Sequence, residues 1–140
     1  MLTEKDYCDY ETCVALKKLG YNEKTLAYYT SEGFFHWIRA YIYDVAIPDL
    51  ANSSNKKPYK HIIDAMSLYE AQRWLREEKK LFVEITIFEY TYGYRILDTR
   101  NVYYDNEHEL RREGRLVGSY EEALSEGIKE CIKLLQHGNN

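Results

Sequence analysis

The stretch "SLYEAQRWLREEKKLFVEITIFEY", Ser67–Tyr90, changes its hydrophobic period partway along. In its first half Leu68, Ala71, Trp74 and Leu75, with Glu78 at the end of the stripe, recur at helical spacing, and Glu70, Arg73 and Glu77 fall on the other side. That pattern predicts an amphipathic helix. Ser67 with Glu70 three residues on makes a capping box, in which the serine oxygen accepts a free N–H and the glutamate reaches back. From Leu81 the pattern alternates instead: Val83, Ile85 and Ile87 fall on one side, Glu84, Thr86 and Phe88 on the other. This predicts a half-buried strand. A helix that runs straight into an alternating strand makes the chain mixed α and β.

Downstream, "YTYGYRIL" predicts a turn around Gly93 and a returning strand, with "NVYY" (101–104) continuing or adding to the sheet. "SYEEALSEGIKECIKLL", Ser119–Leu135, then repeats the capping box with Glu122. Tyr120, Leu124, Gly127, Ile128, Cys131, Ile132 and Leu135 form the strongest periodic stripe in the chain. Acids crowd the first turns and Lys129 and Lys133 come later, as the helix dipole favours. Gly127 inside the stripe gives up about 1 kcal/mol of helix propensity against alanine, which points to a close backbone approach.

Upstream, Asp9 caps a helix predicted over Tyr10–Leu19, and Gly20 stands where a left-handed residue ends helices. "TLAYYT" and "FFHWIRAYIYDV" flank "SEG" and predict a β-hairpin. The expected fold is therefore α+β: an N-terminal helix followed by two ββα units, with an antiparallel sheet and helices packed on one face. The partial echo between the two capped helices is a repeated way of starting a helix. At 140 residues one domain over 1–140 is expected, with a mobile loop over 48–58, "PDLANSSNKKP".

Composition narrows function more than it specifies it. With 45% hydrophobic and 30% charged residues the chain is an ordinary folding sequence. A net charge of −4 offers no global attraction for nucleic acid, and the one basic run, "LRREGR" with Arg111, Arg112 and Arg115, follows "DNEHE" and reads as a solvated loop. No stretch reaches the roughly 18 apolar residues of a membrane span, so a cytoplasmic location is expected. Cys8, Cys13 and Cys131 form an odd set without a CxxC pair, which argues against a disulfide framework or a zinc ribbon; Cys13 and Cys131 read as core.

No catalytic motif, metal site or cofactor site emerges. His36, His61, His108 and His137 are scattered, and "DNEHE" lacks the glycine and distal glutamate of a calcium loop. The unusual feature is tyrosine, 15 of 140 residues. Along the strand expected from Phe34 to Tyr43, alternation puts Phe35, Trp37, Arg39, Tyr41 and Tyr43 on one face and Phe34, His36, Ile38, Ala40 and Ile42 on the other. If the second face is core, the first is a row of large rings around an arginine. Trp37, Arg39, Tyr41 and Tyr43 are then candidate binding residues, either for a protein partner or a second copy, or for a small nucleotide-like anion that stacks on a ring and meets Arg39. The bland alternative is that tyrosines suit a half-exposed sheet, where cross-strand aromatic pairs hold register.

"LYEAQRWLREEK", "YEEALSEGIKECIKLL" and, upstream, "KKLGYNEKTLAYYTSEGFFH" together resemble a family of small uncharacterised proteins from phages and mobile elements of gut Bacteroidales. The resemblance spans most of the chain and is most specific in the C-terminal helix. It implies a phage or mobile-element origin in a bacterial host cytoplasm, and it carries over no catalytic or ligand-binding residue. The expectation is a non-enzymatic accessory protein that acts by binding.

Overall fold

The structure, a computed structural model, describes residues 2–38, 62–100, 109–113 and 117–137. The expected strand beyond Ile38, the loop 48–58 and the "NVYY" segment lie outside the described residues. The fold class is α+β: a helix comes first, the strands pair antiparallel, and helices pack on sheet. Among the described residues the strands divide between two three-stranded sheets rather than joining in one. Contacts gather the chain into two compact units, Met1–Ser67 and Leu68–Asn140.

In the first unit α1 spans Tyr10–Lys18. Asp9 caps it, its Oδ1 accepting from the Thr12 N–H at 2.9 Å. The helix ends as the glycine predicts. Gly20 takes φ +113°, its N–H donates to the Lys17 carbonyl, and the Tyr21 N–H reaches back to that of Leu16, which is the Schellman closure. Strand β1 (Ala27–Tyr29) pairs with β2 (Phe35–Trp37) through the expected hairpin, where Gly33 supplies the left-handed residue at φ +92°. On its other side β1 pairs with β3 (Ile63–Ala65), giving the order β2-β1-β3. The Tyr29 hydroxyl donates to the Cys8 carbonyl at 2.6 Å, and the rings of Tyr7, Phe35 and Trp37 meet edge to face around this point. Cys8, Cys13 and Leu16 complete the buried side.

In the second unit α2 (Leu68–Glu78) leads into β4 (Leu81–Phe88), which pairs along its whole length with β5 (Thr91–Asp98). β6 (Glu109–Glu113) adds to the far side of β5, and α3 (Tyr120–His137) closes the unit. Both helices pack on β4 and against each other, so they share one face of the sheet. Leu68, Ala71, Trp74 and Leu75 are the buried stripe of α2, and Glu78 drops out of it into solvent. The α3 stripe is buried over Leu124, Gly127, Ile128, Cys131 and Ile132, and ends on Leu134 rather than Leu135. Ser119 caps α3: its Oγ accepts from the Glu122 N–H at 3.1 Å, and its hydroxyl donates to the Glu122 carboxylate at 3.2 Å.

Two expectations change. The turn falls at Glu89–Tyr90, with Glu89 at φ +57°, and Gly93 sits inside β5 opposite Thr86. This placement lets eight residues pair in register and sets Val83 against Ile96 and Ile85 against Tyr94 on the helix-covered face. A turn centred on Gly93 would shorten the ladder and lose that match. The basic run read as a solvated loop contributes Arg111 and Arg112 to β6. A segment so dense in charge shows no apolar alternation, and its strand character comes from backbone pairing with Arg95–Asp98.

Gly127 is where helix meets sheet most closely. A Cβ there would lie 2.5 Å from Cγ1 of Val83 and 3.3 Å from the Tyr94 ring. Val83 is buried and β-branched, so its χ1 has little freedom to yield. Gly127→Ala should therefore destabilise the protein by about 1–2 kcal/mol, the strain exceeding the roughly 1 kcal/mol gain in helix propensity. Urea unfolding checks it, and a raised midpoint would contradict the close approach.

Candidate functional site

The residues singled out from the sequence separate in the structure. Trp37 lies in β2 and is half-buried, its ring 5.3 Å from that of Tyr7 and 5.1 Å from that of Phe35, both nearly perpendicular. Arg39, Tyr41 and Tyr43 lie outside the described residues. The alternation itself holds, because Phe35 and Trp37 point one way and His36 the other. Within Phe34–Trp37 the more covered side is that of Phe35 and Trp37. Phe35 and Trp37 turn onto the aromatic cluster, while Phe34 is 65% exposed and His36 is exposed and stacked on Tyr28 at 5.3 Å. Ile38, on the same side as His36, is buried.

Among the described residues, the largest concentration of exposed apolar side chains is elsewhere, at the tip of the β4–β5 hairpin. Ile87 is 68% exposed, Phe88 63% and Tyr90 94%. Ile87 belongs to the strand side that α2 and α3 cover nearer Leu81, so its exposure means that β4 outruns the helices. The tip is rigidly built: the loop has only two residues, and the Thr91 hydroxyl donates to the Phe88 carbonyl at 2.7 Å. On the sheet face away from the helices, the Glu84 carboxylate accepts from Arg95 Nε at 2.8 Å; at the start of β4 the Arg76 guanidinium of α2 lies 5.8 Å from the Phe82 ring. Glu84 and Arg95 offset each other's charge. Sequence reasoning placed Ile87 on the buried side because a period shows which side a residue takes, not where its cover ends.

Some of the buried polar groups have local explanations. Asp98 is buried but receives the Arg100 N–H at 3.0 Å and its Nε–H at 2.9 Å. Burial pushes the Cys131 thiol up to about 12, so it is neutral at physiological pH and no nucleophile. Tyr29 is likewise held in its neutral phenol form by burial, with Cys13 and nearby acids adding to the effect. Asp64, in β3 and 4% exposed, is satisfied on one oxygen. Its Oδ2 faces Lys17 Nζ at 3.2 Å, whereas its Oδ1 is buried without a hydrogen-bond partner. Among the described residues no group of three or more His, Cys, Asp and Glu side chains could hold a metal ion. No helix among them is long and apolar enough to cross a membrane.

Comparison of the chain with protein-family models, with curated proteins and with solved structures finds no match.

Asp64 yields a pH prediction. Burial raises its carboxyl above the ordinary 3.8, and Lys17 only partly opposes this. The folded state therefore holds the proton more tightly than the unfolded chain. No penalty exists below 3.8, and stability falls as pH rises from there through the folded value. Asp64→Asn should remove that decline, so that its stability relative to wild type improves from acid toward neutral pH. Paired urea titrations check this, and parallel profiles for the two proteins would contradict it.

Proposed function

We propose that this protein acts by binding another protein, with the exposed tip of the β4–β5 hairpin as its contact surface. The observation that carries the reading is the joint exposure of Ile87, Phe88 and Tyr90 on one rigid hairpin. Large rings bring much contact area for little rotamer entropy, and such residues dominate the energetics of protein interfaces. The paired β-strands already fix the backbone beneath them, so little ordering remains to oppose association. Single exposed apolar residues are ordinary on any surface, whereas neighbouring ones at a protruding turn call for a partner. A role as an accessory protein of a phage or mobile element, in the bacterial cytoplasm, belongs to the same proposal and draws its support from the sequence resemblance.

The reading shifts the interaction surface away from Trp37, whose ring engages Tyr7 and Phe35. Phe88→Ser with Tyr90→Ser should weaken association, with itself or with a co-purified protein, by about tenfold or more. Circular dichroism and melting should stay near wild type, because both side chains are already in solvent. Sedimentation velocity and native mass spectrometry read the outcome. Association that survives the double substitution would overturn the reading.

A further inference from the structure

The same hairpin carries an open sheet edge. In the second sheet the order is β4-β5-β6, so among the described residues β4 has a partner on one side only. Which of its backbone groups face outward follows from the register. The Thr99 N–H donates to the Lys80 carbonyl at 2.9 Å, which makes Lys80 and Thr99 a hydrogen-bonded pair. Pairs alternate along an antiparallel ladder, so Phe82, Glu84, Thr86 and Phe88 bond to β5, and Leu81, Val83, Ile85 and Ile87 point their N–H and C=O groups to the open side. The Val83 carbonyl confirms the assignment, because it accepts the Gln72 side-chain amide of α2 at 2.9 Å. That bond blocks the edge at Val83 and leaves Ile85 and Ile87 open.

Edges of this kind are ordinarily protected by charge, proline or irregularity. On the far side of β5 the β6 sequence is "ELRRE", and its ladder with β5 shifts register between Ile96 and Leu97. The open half of β4 reads "ITIF", with no charge and no proline, and it ends in the exposed Ile87 and Phe88.

We infer that β4 is a strand-addition site whose occupant is β4 of a second copy, paired antiparallel about a two-fold axis at Thr86. This rests on the binding reading and names its partner. An edge of free N–H and C=O groups is complemented by another extended strand, and a two-fold antiparallel pairing lets one edge complement itself. Gln72 selects the register. Centred on Ile85, the pairing would require the blocked Val83 carbonyls. Centred on Thr86, it joins Ile85 to the copy's Ile87 and Ile87 to the copy's Ile85, using only open groups. Glu84 then lies across from Phe88 of the copy, so like charges are not opposed. Ile87 and Phe88 leave solvent as the strands join.

The test is sedimentation velocity over a wide concentration range, together with cysteine cross-linking. Thr86→Cys should form a disulfide-linked dimer on mild oxidation, because residues opposed in a non-hydrogen-bonded pair lie about 4.5 Å apart at Cα, within disulfide reach. Glu84→Cys should not, and Cys8, Cys13 and Cys131 are buried and should stay silent. Ile87→Lys should weaken dimerisation about tenfold or more while leaving the fold intact, since its side chain is already exposed. A wild-type protein that stays monomeric would overturn the inference, as would Glu84→Cys cross-linking in place of Thr86→Cys. Association lost in the Phe88→Ser, Tyr90→Ser protein but unchanged in Ile87→Lys would remove the second copy from the edge and leave the binding reading standing.

Discussion

The pairing of Leu81–Phe88 with Thr91–Asp98 is the constraint on which the second unit depends. A two-residue connection at Glu89–Tyr90 fixes the register, and the register decides which side chains meet the helices. Val83 and Ile96 face each other under α3, and Ile85 faces Tyr94. A slip of one residue would turn this set outward and bring Glu84 and Thr86 beneath the helices. The same register decides which backbone groups reach the open edge. Core and candidate site therefore follow from one geometric choice.

That choice is made with unfavourable local chemistry. Glu89 and Lys80 both adopt left-handed backbone angles, where glycine or asparagine is the usual occupant. Tertiary pairing compensates at each place. Lys80 is held by two donors of Thr99 on its carbonyl, at 2.9 Å each. The Gly127 contact works the other way: a poor helix residue is retained because Val83 and Tyr94 occupy the space a side chain would need. The first unit relies on more local devices, an aspartate cap and a glycine-closed helix end on α1, beside an edge-to-face aromatic cluster.

Those devices explain what was legible in the sequence. Asp9, Gly20, Ser119 and Gly33 act through neighbours a few residues away, so helix ends and the first hairpin could be located from type and spacing alone. The stripes of α2 and α3 were likewise readable, because burial along a helix repeats with its period. What stayed hidden depended on distant pairing. Glu89–Tyr90 lacks turn chemistry while Gly93 advertises it, and β3 and β6 are strands by virtue of β1 and β5. The division into two sheets, and the packing of α2 on the strand that follows it, likewise arise from tertiary contacts. For the site, composition flagged the aromatic surplus but could not say which rings would be consumed by packing. Trp37 contributes to a cluster, and the run "TIFEY" that projects past the helices was visible only as half of an alternating strand.

An exposed apolar tip and an open backbone edge thus both follow from one strand register. Residue-resolved amide hydrogen exchange, measured by NMR at low protein concentration, tests that register most directly. The amides of Phe82, Glu84, Thr86 and Phe88 should be protected and those of Ile85 and Ile87 should exchange rapidly. The opposite alternation, or uniform protection along β4, would contradict the register and with it the proposed edge.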